Sequence, residues 1–95
     1  MRVTDIVWKE DIVDKLLCKH GVSVAGMGEA FVSKPVVRKM AKGRVRGEDV
    51  YAALAQISNG RYLAVFFIHK KRGVALPISA RDMDPAERKY YAGKR

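Results

Sequence analysis

Two apolar runs, 50–58 and 61–69, meet at the dipeptide Asn59-Gly60. Asn-Gly between apolar runs is the strongest short-range hairpin signal, because a type I′ turn needs positive φ at both central positions and these two residues tolerate it. A lone hairpin is marginal in water, so strands of this length demand further strands or a helix against them. With Asn59 and Gly60 as the turn, Ser58 faces Arg61, Leu54 faces Val65 and Val50 faces His69. Beyond Gly73 the residues Val74, Leu76 and Ile78 alternate along another strand ending near Arg81. A tight turn over 70–73 sets Ile78 opposite Val65 and Arg81 opposite Tyr62. In this register Val50, Leu54, Leu63, Val65, Phe67, Leu76 and Ile78 share the core face under the helices. The opposite face collects Tyr51, Ala53, Ala55, Tyr62, Ala64, Phe66, Ser79 and Arg81. Its small residues suit either a base stacked on Tyr62 with Arg81 on a phosphate, or another packed element of the protein.

Ahead of the hairpin, residues 3–8 read as a short first strand, with Ile6 and Trp8 alternating. From Lys9 the period changes: Val13, Leu16 and Leu17 follow helical spacing, Glu10, Asp11 and Asp14 favour the positive end of the helix dipole, and Gly21 supplies a stop. Ser23 is a fitting N-cap for a second helix with Val24, Met27 and Phe31 on one face, closed by Pro35. Val36 and Val37 open a strand that leads into the glycine-punctuated basic loop 42–49. At the end, Asp84, Pro85 and Glu87 stand as N-cap, first and third positions of a C-terminal helix. The pattern therefore predicts one α+β domain spanning residues 1–95: two N-terminal helices packed on an antiparallel sheet of three to four meandering strands plus a first strand, and a C-terminal helix.

Charge narrows the partner. The chain carries 19 Lys and Arg against 10 Asp and Glu, a formal net charge of +9 over 95 residues. A 48% hydrophobic content requires that this charge sit on a packed body, not on a disordered chain. The excess lies after residue 33: Lys34, Arg38, Lys39, Lys42, Arg44 and Arg46 arrive with no acid between them, and His69, Lys70, Lys71 and Arg72 form a second cluster. Such runs favour a polyanion through counterion release, and RNA leads the candidates. No stretch approaches the roughly 20 apolar residues that cross a bilayer, so no membrane partner is expected. A single cysteine, Cys18, forms no internal disulfide and fits a reducing, cytoplasmic setting; neither a metal site nor a cofactor motif is expected. Gly26 and Gly28 lack the strand-turn-helix context of a nucleotide-binding loop.

Several segments in order resemble the BrnT family of bacterial ribonuclease toxins: Trp8, the string KHGVS at 19–23, Phe31, Pro35, GRYL at 60–63, ISARDM at 78–83, and Glu87-Arg88 with Tyr91. The likeness covers about residues 6–92. It implies a RelE-like fold, RNA cleavage that arrests translation, and a BrnA-type antitoxin that neutralises the toxin and alone contacts operator DNA. Many members carry a histidine in the loop before the second long strand; here that loop, residues 42–49, holds none, although Glu48 and Asp49 keep its acid pair.

Metal-independent RNA cleavage needs a base for the ribose 2′-hydroxyl, an acid for the leaving 5′-oxygen, and cations around the phosphorane. Arg81, Arg61 and Arg44 are the candidate cations; Glu48, His20 and His69 are the candidate acid and base. Lys9, Arg38, Lys42, Arg46, Tyr62, Lys70 and Lys71 are candidate RNA contacts, Lys9 because helix N-termini favour anions. Arg81 has a second reading as an ion pair with Asp82, Asp84 or Glu87, and His20 one as a helix-end residue. His69 and Arg61 cannot share a phosphate, because eight strand residues at ~3.3 Å each hold them about 26 Å apart. Two other functions stay open: a non-catalytic RNA-binding or regulatory protein of the same fold, and a protein-interaction module.

Overall fold

The central hairpin forms and extends on both sides into a five-stranded sheet. The computed structural model describes residues 3–41 and 48–94. Its elements are β1 (Asp5–Ile6), α1 (Glu10–His20), α2 (Val24–Val32), β2 (Val36–Ala41), β3 (Val50–Gln56), β4 (Tyr62–Lys70), β5 (Val74–Asp82) and α3 (Pro85–Lys94). The strand order is β1-β5-β4-β3-β2. All neighbours are antiparallel except β1 and β5, so the sheet is mixed where an antiparallel one was expected. The first strand is also shorter than the expected 3–8, being two residues long.

The helix ends follow their sequence signals. Gly21 adopts the left-handed conformation at φ 62 and closes α1, which carries Glu10 and Asp11 in its first turn. Ser23 caps α2, its hydroxyl accepting from the Gly26 N–H at 3.0 Å. Met27, Ala30 and Phe31 are buried along α2, whereas Val24, expected on that face, is exposed. At the third helix the Asp84 carboxylate accepts from the Glu87 N–H (2.8 Å) while Glu87 accepts from the Asp84 N–H (2.9 Å), a reciprocal capping box.

The hairpin register differs from expectation by one residue. Gln56 pairs with Tyr62, Leu54 with Ala64 and Val50 with Ile68. The Ile57 N–H donates to the Arg61 carbonyl and the Gly60 N–H to the Ile57 carbonyl, enclosing three loop residues instead of two. Only Gly60 takes positive φ, at 89; Asn59 does not, so the turn is a type I turn closed by a left-handed glycine. Asn59 instead turns its side-chain oxygen onto the Arg61 N–H at 2.9 Å.

The next turn is wider than assumed as well. A short 3₁₀ turn over Lys71–Gly73, with Arg72 at φ 64, sets Val65 opposite Ala80 and Arg81 opposite Ala64. A register shift between Phe66 and Phe67 leaves Ile78 as the extra residue of a bulge beside Pro77, a place where a strand tolerates proline.

These shifts redistribute the faces. Leu63, Val65 and Phe67 lie under α1 and α2 as expected, joined there by Ala53 and Ala55 and not by Leu54. Phe67 is fully buried, with Phe31 edge-on to its ring at 5.1 Å. The other face gathers Ala52, Leu54, Ala64, Tyr62 and Phe66 with Met83 and Tyr91, so α3 is the packed element that its small residues admit. No helix among the described residues is long and apolar enough to cross a membrane.

Candidate functional site

At one end of the sheet the last residues of β2 and β4 meet the start of β3. Strand alternation and register align Lys39, Tyr51 and Phe67 across neighbouring strands on the α1 and α2 face. The Tyr51 ring stacks on Phe67 at 5.9 Å and meets the His69 ring edge-on at 6.2 Å. A continuous aromatic path therefore runs from Phe31 in the core through Phe67 and Tyr51 to the imidazole. Asp49, just ahead of β3, pairs with Lys39 at 3.0 Å. That hydrogen bond, reinforced by the carboxylate charge, raises the Lys39 pKa above the ordinary lysine value. One residue along β4 the chain faces the other way, and Lys70 pairs with Glu48 at 2.8 Å.

This end thus joins an imidazole, a phenol, two lysines and two carboxylates within a few residues of the exposed Lys71 and Arg72. Of the residues grouped from the sequence, Glu48 and Lys70 pair, while His69 meets Tyr51 on the opposite face of the sheet. Lys42, Arg44 and Arg46 lie outside the described residues. Tyr51 was missed as a partner of His69, because the expected register put Tyr51 on the opposite face. The correct three-residue loop would have revealed the pairing.

The remaining candidates lie elsewhere. The Arg61 guanidinium donates to the His20 carbonyl (2.6 Å), to the Gly21 carbonyl (2.7 Å) and to Asp82 (2.5 Å). It ties the end of α1 to the end of β5 and supplies the positive charge that helix C-termini favour. His20, the last residue of α1, is exposed and contributes its carbonyl to that tie. Beside it a cleft of about 230 Å³ is lined by Ser23, Glu29, Ser58 and Asn59, among others. Glu29 there accepts from both the backbone and the hydroxyl of Ser58, latching α2 to the hairpin turn. Lys9 is exposed at the N-cap of α1.

Arg81 forms a two-pronged pair with Glu87 at 2.6 and 2.9 Å, donates to the Asp82 carbonyl at 3.1 Å, and lies over the Phe66 ring at 5.1 Å. Hydrogen bonding to Glu87, helped by the charges of Glu87 and Asp84 and opposed by burial, raises its pKa further above the ordinary arginine value. This is the ion-pair alternative raised from the sequence. Tyr62 packs edge-on against Tyr91 at 6.2 Å, with Arg88 over its ring at 4.1 Å. Arg38 stacks over Tyr90 at 4.6 Å. Among the described residues no cluster of histidine, cysteine and carboxylate side chains forms a metal-holding group. No family model and no curated protein sequence matches this chain.

Proposed function

We propose that the protein is a metal-independent endoribonuclease whose reactive end is the sheet terminus bearing His69. The observation that carries this is the contact of His69 with Tyr51, aligned on one sheet face with the Lys39–Asp49 pair. Histidine is the side chain suited to exchange a proton near neutral pH, and it stands here on the same sheet face as the Lys39 ammonium, a cation able to balance a phosphorane. In this reading His69 moves the proton of the 2′-hydroxyl or of the leaving oxygen, Tyr51 orients the imidazole, and Lys39, on the same face of the sheet, exchanges Asp49 for the phosphate. Arg81 and Arg61, the first choices from sequence, serve the scaffold, since their donors already face Glu87, Asp82 and backbone carbonyls.

A toxin role within a RelE-like, BrnT-like family, with an acidic BrnA-type antitoxin masking the Lys70–Arg72 cluster, is supported by the ordered KHGVS, GRYL and ISARDM segments. The engagement of both arginines favours one alternative, a non-catalytic RNA-binding protein of the same fold.

Incubation with single-stranded RNA in EDTA separates the two. Cleavage that leaves 2′,3′-cyclic phosphate ends, with His69→Asn reducing the rate by about 10²–10⁴-fold, is expected for a general acid or base. Tight binding without cleavage selects the non-catalytic reading. Absence of binding at low salt removes RNA altogether.

A further inference from the structure

The strongest unassigned surface lies away from His69, where α3 crosses the sheet toward β2. Arg38 lies over one side of the Tyr90 ring system at 4.6 Å, and the Lys94 ammonium lies 5.8 Å from the same ring. Arg88 covers the neighbouring Tyr62 at 4.1 Å. Lys34 and Lys94 together line a cleft of about 510 Å³ that is floored by Pro35, Val36 and Tyr91. Among the described residues no carboxylate pairs with Lys34, Arg38, Arg88 or Lys94, in contrast to Lys39, Lys70, Arg61 and Arg81, each of which has a carboxylate partner. Lys34 moreover sits at φ 51, a conformation that side chains other than glycine rarely adopt, so the chain holds a lysine at the mouth of the cleft against local preference.

We infer that this face, Lys34, Arg38, Arg88 and Lys94 around Tyr90 and Tyr62, grips single-stranded RNA. The inference rests on the ribonuclease reading for its substrate but concerns a different surface. Unneutralised cations beside aromatic rings are the chemistry of sequence-tolerant single-strand grips: bases stack on the rings while guanidinium and ammonium groups take the phosphates. Arg38 and Lys94 lie over Tyr90 in the free protein, and a base takes their place as they swing to flanking phosphates. Duplex RNA offers no exposed base faces and gains only the charge contribution.

The test is fluorescence anisotropy with a short 2′-O-methyl oligouridylate, which binds but offers no 2′-hydroxyl for attack. The triple variant Lys34→Gln/Arg38→Gln/Lys94→Gln is expected to weaken binding at least tenfold. It should also flatten the slope of log affinity against log salt by about two, at ~0.7 per lost single-strand phosphate contact. Tyr90→Leu is expected to weaken binding about tenfold at unchanged slope, as loss of one stacked base does. Circular dichroism checks the fold of each variant, and crosslinking of a 4-thiouridine oligonucleotide to the wild type should map to 85–94 whatever the variants do. Wild-type affinity and slope in the triple variant, with loss only in Lys70→Gln/Lys71→Gln, would overturn this surface and leave the ribonuclease reading intact. Polyglutamate binding as tight as RNA and indifferent to Tyr90→Leu would assign the face to an acidic protein instead. No RNA binding by the wild type would end both.

Discussion

Replacing Arg81 by methionine tests what holds α3 to the sheet. The Glu87 side chain is 9% exposed and that of Arg81 38%, and two short charge-assisted bonds join them. An exposed pair contributes at most about 1 kcal/mol, whereas breaking a buried pair costs about 3–5 kcal/mol because a charge is stranded. This pair lies between: the carboxylate is buried, the arginine is partly hydrated, and the Asp84 N–H remains on Glu87. The expected cost of Arg81→Met is therefore about 2 kcal/mol, and that of Arg81→Lys, which keeps the charge but not the fork, about 1 kcal/mol. At roughly 4–8 °C per kcal/mol for a domain of this size, the midpoint falls by about 8–16 °C in Arg81→Met. Thermal unfolding followed by circular dichroism measures this. A double-mutant cycle with Glu87→Gln should show coupling of about 1 kcal/mol or more. A loss under about 0.5 kcal/mol in Arg81→Met would refute the clamp. RNA cleavage lost by Arg81→Lys at an unchanged midpoint would return Arg81 to the reactive chemistry.

Three further outcomes are expected. Phe67→Ala, at a fully buried ring touching Phe31 and Tyr51, should cost about 3–5 kcal/mol in denaturant unfolding. Gly60→Ala should cost about 1–2 kcal/mol through positive φ alone, since an added Cβ meets nothing within 4 Å; a neutral result in the same assay would show the turn rearranging. The Lys39–Asp49 pair raises the lysine pKa, so its contribution is complete below the ordinary lysine range near 10.4 and fades as pH rises through the higher folded value. Alkaline titration of Lys39→Met should lack that component of the stability loss, and identical curves for the two proteins would contradict it.

The element order was legible because each helix carries its own punctuation: Gly21 closes α1, Ser23 opens α2, and Asp84 with Glu87 opens α3. Register was not, because Asn59-Gly60 suits a two-residue turn and a three-residue loop alike, and the choice was made by Ile57 pairing with Arg61. One residue of slip relabels every β3 side chain, which is why Tyr51 was expected on the far face and Leu54 on the near one. The bulge at Ile78 has no local signal beyond Pro77. The histidine, lysines and acids at the His69 end of the sheet were visible as a cluster of residue types, while the ties of Arg61 and Arg81 depend on long-range closure. Tyr90 and Lys94 share a helix face at four-residue spacing, but only their position over Arg38 gives that spacing meaning.

The parallel joining of β1 to β5 sets an order in time. Thr4 donates its hydroxyl to the Arg72 carbonyl, 68 positions onward, and Asp5 and Ile6 lie beside Val74 and Ala75. While the chain is being made, β1 has no strand to join until synthesis has passed residue 75, and α1 and α2 have no complete sheet to cover. The hairpin β3–β4 and its extension to β5 involve nearby residues and close first, since short loops close at lower entropic cost than long ones. On this order the N-terminal segment docks last, and a nascent chain halted within β5 would leave α1, which packs on β5 and buries Leu16, without its full cover and become a substrate for chaperones or proteases.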